Sequence, residues 1–256
     1  MNIIGAIAVA VSILAFALTY KCLRVRSIVV RFALLGSFTI LAIPALLFTV
    51  YYLHVLPEKA WFYTLRFWSG TEFLVIFLGC AFGAVASFLP RFLLVAPLVA
   101  FIVLASVPYI KPIIGPIPDN VLQDHWKGDV CIQSTPSTCG PASVCTILKS
   151  LGSESSEREA ARAAFSYTSG TEAWYLARYV RSKGFVPRFV FRETFSASAG
   201  LPAVLGVRPG HFIAVLGMND NQVSFADPLW GDARLSLSEF QRRYQFTGFH
   251  MVISKE

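Results

Sequence analysis

Four apolar stretches, roughly 3–20, 28–53, 73–89 and 92–110, fill the first 110 residues of this chain. A bilayer core needs about 20 residues of helix, and all four stretches fit one. No basic residue precedes the first stretch and no small-x-small cleavage site follows it, which reads as an uncleaved anchor rather than a signal peptide. The third stretch is short, and Gly79, Gly83 and Ser87 give it a small-xxx-small face suited to close helix packing. Pro44 and Pro97 fall inside spans two and four, where neighbouring helices can satisfy the freed carbonyls.

Charge orients the bundle. Residues 1–111 hold eight Lys/Arg and two Glu, at span ends or in the gaps. Lys21, Arg24, Arg26 and Arg31 surround the first gap and Arg91 lies in the third, whereas the second holds Lys59 and Arg66 diluted by Glu58. The positive-inside rule then puts the first and third gaps in the cytoplasm and both termini outside it. The aromatic second gap, "PEKAWFYTLRFWSG", is expected at the outer interface. Arg31 is one turn inside its span and can snorkel, and Glu72 opens span three. No mid-membrane ionisable pair marks a transport path, so residues 1–110 read as a four-span transmembrane anchor.

"KPIIGPIPDN", 111–120, reads as a linker, with three prolines and a glycine. Residues 121–256 are then a separate domain. Residues 112–256 hold fourteen Lys/Arg and thirteen Asp/Glu, with no basic tract, and nothing there suggests nucleic-acid binding. Helical spacing runs from Ala142 to Leu151, over 153–165 and over 170–184. Short β-branched and aromatic runs follow at 185–191, 202–207, 211–217, 222–226 and 248–253, with a short helix at 236–244. Helices first and strands afterwards predict an α+β domain, its helices packed on an antiparallel sheet.

Within "CIQSTPSTCGPAS", Cys139 sits where a loop turns into a helix, with Thr138 as a possible cap and Pro141 in the first turn. The helix dipole there favours a thiolate. A disulfide between Cys131 and Cys139 would serve equally well outside the cytoplasm, and Cys145 reads as a buried core thiol. The spacing is not that of a zinc site. The second domain has three histidines. His125 lies near the linker without a distinguishing context, and His250 has no carboxylate partner in its strand. His211 opens "HFIAVLG", and "MNDN" turns it into "QVSFADP". Pairing residues whose numbers sum to 438 sets His211 opposite Asp227, the geometry of a base and its orienter. Gln133 supplies an amide donor which, with the Cys139 N–H, could bind an oxyanion.

The run from Gln133 to "CGPAS", then "LKSLG", "GTEAWYLARYVRSKG", Gly210-His211-Phe212 and "ADPLWG" together resemble the C39-type cysteine peptidases, a papain-like family that removes double-glycine leaders. The resemblance covers about 125–253 and implies Cys139 as nucleophile, His211 as base, Asp227 as orienter and Gln133 as oxyanion donor. It also implies a peptide or protein substrate and no metal or organic cofactor. Two features depart from the family. Thr138 stands where many members carry an acid, and the domain follows four spans in a chain with no P-loop for ATP. A bacterial inner-membrane peptidase facing away from the cytoplasm is the expectation, its substrate secreted or membrane-bound. A non-catalytic peptide-binding accessory and a thioester-forming acyltransferase or transamidase are the alternatives on the same fold.

Overall fold

The computed structural model describes residues 2–53 and 55–255. Residues 1–58 and 69–114 form one compact unit, and residues 59–68 with 115–256 form another.

In the first unit, helix α1 (Ile3–Arg24) is capped by Asn2, whose side chain accepts the Gly5 N–H at 2.9 Å. Helix α2 (Ile28–Tyr52) follows after a three-residue turn. A short helix α3 (Ala60–Phe67) belongs to the second unit. The chain then re-enters through a 3₁₀ turn, Thr71–Leu74, into α4 (Val75–Ala86). Helix α5 (Val95–Ile114) runs through Pro108 and Pro112, so residues 111–114 of the expected linker are helical and irregular chain begins at Gly115. Pro97 is the third residue of α5, in the first turn, where a missing N–H breaks no helical bond. Three helices are long and apolar enough to cross a membrane, or four if the bent pair Ala60–Phe67 and Thr71–Ala86 is one span.

The small-residue face of α4 is used inside this bundle. A Cβ on Gly79 would stand 2.2 Å from the Ser12 carbonyl oxygen, and one on Gly83 2.5 Å from that of Phe16, so only glycine allows α1 and α4 this approach. Arg31 turns back onto the backbone of the first and third gaps. Its guanidinium donates to the carbonyls of Arg26 and Ser87, each at 3.0 Å, and to that of Arg24. The first and third gaps therefore meet at one end of the bundle. At the other end Tyr109 donates to the Glu72 carbonyl at 3.3 Å and Lys111 to that of Tyr52 at 3.4 Å. The four helices thus alternate in direction.

The second unit has the expected order of helices before strands. A hairpin of β1 (His125–Lys127) and β2 (Val130–Ile132) precedes α6 (Cys139–Ser150), α7 (Glu157–Ala163) and α8 (Ala173–Ser182). Strands β3 (Phe185–Phe191), β4 (Ala203–Val207), β5 (His211–Asn219), β6 (Gln222–Asp227) and β7 (Gly231–Ser236) follow. Helix α9 (Leu237–Arg243), opened by a Ser236/Glu239 capping box, leads into β8 (Phe246–Lys255). These six strands make one antiparallel sheet in the order β3-β8-β4-β5-β6-β7. Neither the β1–β2 hairpin nor β7 is signalled by the local sequence. The first has strands of only three residues, and the second alternates Asp232 and Arg234 outward with few β-forming residues.

Helix α3 is the larger surprise. The sequence suggests a membrane interface for the aromatics of this gap; Trp61 and Trp68 are half exposed. Phe62 and Tyr63 are buried in the second unit. The Tyr63 ring lies 5.3–5.5 Å from those of Phe189, Phe191, Phe249 and Trp174. Arg178 of α8 caps the helix end, donating to the carbonyls of Arg66 at 2.6 Å, Phe67 at 2.9 Å and Trp68 at 2.8 Å, where the dipole favours a cation. Tyr63→Ala should therefore destabilise the second unit by about 3 kcal/mol. Trp61→Ala, at a half-exposed position, should cost well under half of that. Thermal unfolding of the two full-length variants, followed by near-UV circular dichroism, checks the difference.

Candidate active site

Cys139 is the first residue of α6, three residues ahead of the expected helix start, and is 5% exposed. Thr138 occupies the cap position without a side-chain bond to the helix. Its hydroxyl instead takes the Thr135 N–H at 3.1 Å and donates to the Thr135 carbonyl at 3.0 Å, which tightens the loop before the cysteine. From Cys139 to Leu148 every residue of α6 is buried. Gly140 fits where a Cβ would meet Leu176 at 2.8 Å and Phe212 at 3.3 Å, so α6 lies close against α8 and β5. Ser143 ties the same helix to β5 by donating to the Phe212 carbonyl at 3.2 Å.

His211 opens β5 after the turn Arg208-Pro209-Gly210 and pairs with Val207. Its Nε2 lies 2.9 Å from Asp227 Oδ1. The two residues meet, but not by the expected register. The turn is Asp220-Asn221, both with positive φ, and it closes the pair Asn219↔Gln222. A bulge at Leu216 then shifts the ladder to Val215↔Phe225 and Ala214↔Ala226. One step further sets Asp227 against Ile213, and His211 reaches the carboxylate as a diagonal neighbour on the same face.

Asp227 is 3% exposed and accepts two more bonds, from the Leu229 N–H at 3.0 Å and the Tyr244 hydroxyl at 2.9 Å. Burial alone would raise its pKa; these donors hold it below the ordinary carboxylate value. Burial likewise pulls His211 down, but the hydrogen bond to Asp227 and interaction with the Cys139 thiol outweigh it, and the imidazole is pushed up to about 9. Nδ1 is the ring nitrogen left over from the Asp227 bond.

Gln133 follows β2. Its N–H donates to the Pro228 carbonyl at 2.9 Å, tying it to the turn after Asp227. Its Nε2 donates to the Thr135 carbonyl at 2.8 Å, which leaves one of the two amide hydrogens for another acceptor. Gln133, His211 and Asp227 line a cleft of about 620 Å³ together with Trp230 and Tyr244; Cys139 is not part of its wall.

Cys139 is a free thiol, as are the other four cysteines. The neighbour of Cys131 is Cys145, whose hydrogen bond, with burial, raises the Cys131 pKa far above the ordinary thiol value. His250 is buried, its Nδ1 lies 3.0 Å from the Gly248 carbonyl, and burial lowers its pKa, which leaves it structural. His125 is exposed on β1.

Two residues of the site carried no signal in the sequence. Tyr244, seventeen residues beyond Asp227, arrives through α9. Glu157, fully buried at the start of α7, accepts the Ser134 N–H at 2.7 Å and the Ser134 hydroxyl, fixing the loop next to Gln133.

The Peptidase C39 family model matches residues 127–256. An uncharacterized protein of Methanothermobacter marburgensis is 35% identical over 136 residues, 51% of this chain and 93% of the relative. A second, from Methanothermobacter thermautotrophicus, is 30% identical over 129 residues, 49% of this chain and 88% of that protein. The crystal structure of the peptidase domain of Streptococcus ComA, a bi-functional ABC transporter of a quorum sensing pathway, overlays with a TM-score of 0.44 at 23% identity, covering 52% of this chain and all of that one. A double glycine motif protease from an AMS/PCAT transporter, solved in complex with the leader peptide, gives a TM-score of 0.45 at 20% identity over 50% of this chain and 91% of that one. The chain belongs to the peptidase C39 family.

The His211–Asp227 pair makes stability pH-dependent with a defined sign. His211 is raised above its ordinary 6.5 to about 9, so its contribution is complete below about pH 6.5 and is lost as pH rises through 9. Asp227 is lowered, so its contribution is complete above 3.8 and is lost as pH falls below that. The stability difference between wild type and Asp227→Asn should be largest between about pH 4 and 6.5 and should shrink towards pH 9. Thermal unfolding of both proteins from pH 4 to 10 measures it.

Proposed function

We propose that this chain is a membrane-anchored cysteine peptidase in which Cys139, His211, Asp227 and Gln133 perform the chemistry. The observation that carries the reading is the 2.9 Å His211–Asp227 bond, with His211 also interacting with the thiol at the start of α6. A buried carboxylate held by three donors fixes the imidazole orientation and stabilises its charged form. The Cys139 proton passes to His211 Nδ1, and the thiolate, at the positive end of α6, attacks the peptide carbonyl. The oxyanion is received by the Cys139 N–H, a first-turn amide with no partner within the helix, and by Gln133 Nε2. His211 returns its proton to the leaving amine as the C–N bond breaks, giving a thioester. Water then attacks the thioester with His211 as base, releasing the acid and restoring the thiol.

The N-terminal bundle, residues 1–110, serves as the anchor. The first and third gaps carry most of its cations, so with four spans the positive-inside rule favours a non-cytoplasmic 121–256 domain. Its substrates are then secreted or membrane-bound peptides or proteins. Cys139→Ala should abolish processing of a cleaved peptide, and Gln133→Ala should lower kcat by about 100-fold with little change in KM. Single-turnover and steady-state kinetics of purified full-length protein against a peptide library test both; undiminished cleavage by Cys139→Ala refutes the mechanism. For topology, a membrane-impermeant thiol reagent should label Cys139 in intact cells, and labelling only after lysis would move the domain to the cytoplasm.

A further inference from the structure

The cleft beside His211 has a lopsided charge. Two arginines line it, Arg208 in the turn before His211 and Arg243 at the end of α9. Asp227 is the one acid among the lining residues, and its oxygens are already taken by His211, the Leu229 N–H and Tyr244. Among the described residues neither arginine has an ion-pair partner. Arg243 is nonetheless held in place, its guanidinium 4.8 Å from the centre of the Trp230 ring and 5.7 Å from that of Tyr244. Arg208 is exposed, but its backbone is pinned by donation to the Gln245 carbonyl at 2.8 Å. Guanidinium groups without a counter-charge on the wall of a concave site, one held against two rings and the other on a pinned backbone, favour a carboxylate.

The side of the substrate follows from the proton transfer. His211 must hand its proton to the leaving amine, so the fragment that begins with that amine departs along the His211 wall, which is the wall of this cleft. Building on the peptidase reading, we propose that the Arg208/Arg243 cleft binds a carboxylate within the first residues C-terminal to the scissile bond. That carboxylate belongs either to an Asp or Glu side chain or to the end of the substrate chain. Cleavage is thereby directed to bonds followed by acidic residues, or to bonds close to a free C-terminus.

The test uses alkylation of Cys139 by iodoacetamide in the full-length protein, read by peptide mass, with dipeptides that mimic the departing fragment as protectants. Gly-Glu amide carries only the side-chain carboxylate, Gly-Gln only the terminal one, and Gly-Gln amide neither. The carboxylate-bearing compounds should give half-protection at about five-fold lower concentration than Gly-Gln amide, the scale of a solvent-accessible ion pair. Preference for one of the first two identifies the source of the carboxylate. Arg208→Gln and Arg243→Gln should each reduce the advantage, with protection ratioed to each variant's own unprotected rate. Equal protection by all three dipeptides, no protection by any, or an advantage unchanged in both variants overturns the inference and leaves the nucleophile intact. Absence of Cys139 alkylation without any dipeptide removes the nucleophile itself, and the inference with it.

Discussion

Helix α6 is buried along almost its whole length, and the rest of the second unit is arranged by that burial. A helix apolar on most of its faces needs neighbours on most of its faces. α8 approaches through Leu176 and β5 through Phe212, both closing on Gly140, while Thr146 accepts the Cys131 N–H of β2 at 3.0 Å. The start of the helix is thereby fixed against the strand that begins with His211. A thiol and an imidazole 72 positions apart in the chain meet because the helix between the two layers cannot shift without opening its core.

The second organising constraint is the insertion of α3. The chain interrupts its apolar helix bundle to supply ten residues to the other unit, where Tyr63 joins an aromatic cluster on β3, β8 and α8 and Arg178 closes the helix end. Aromatic side chains with a polar rim suit a bilayer interface and a protein core almost equally, since both reward an apolar body with one polar contact. Composition alone therefore could not separate the two destinations.

Around Asp227 the structure stacks three donors on a single carboxylate, and the consequence is electrostatic. Each donor favours the ionised acid, and the ionised acid favours a charged imidazole, against the burial that opposes both. Tyr244 contributes to this from α9 while packing its ring at 5.5 Å from Phe225 and 5.4 Å from Phe240, so the core beneath the sheet and the polar network share a residue.

The sequence by itself determined the apolar spans, the second unit's helices and five of the six strands of its main sheet, the helix-start context of Cys139 and the presence of a histidine and an aspartate at the two arms of one hairpin. These are local properties: hydropathy over a bilayer's thickness, caps and glycine stops, and a turn of Asp and Asn residues. Tertiary structure decided the remainder. The register of β5 on β6 depended on a bulge at Leu216, which no local signal encodes, and the meeting of His211 with Asp227 survived because diagonal neighbours on one face are still within reach of a ring. Tyr244, Glu157 and α3 were invisible for the same physical reason. Their partners lie 17, 23 and more than 100 residues away, and only packing of the intervening chain brings them together.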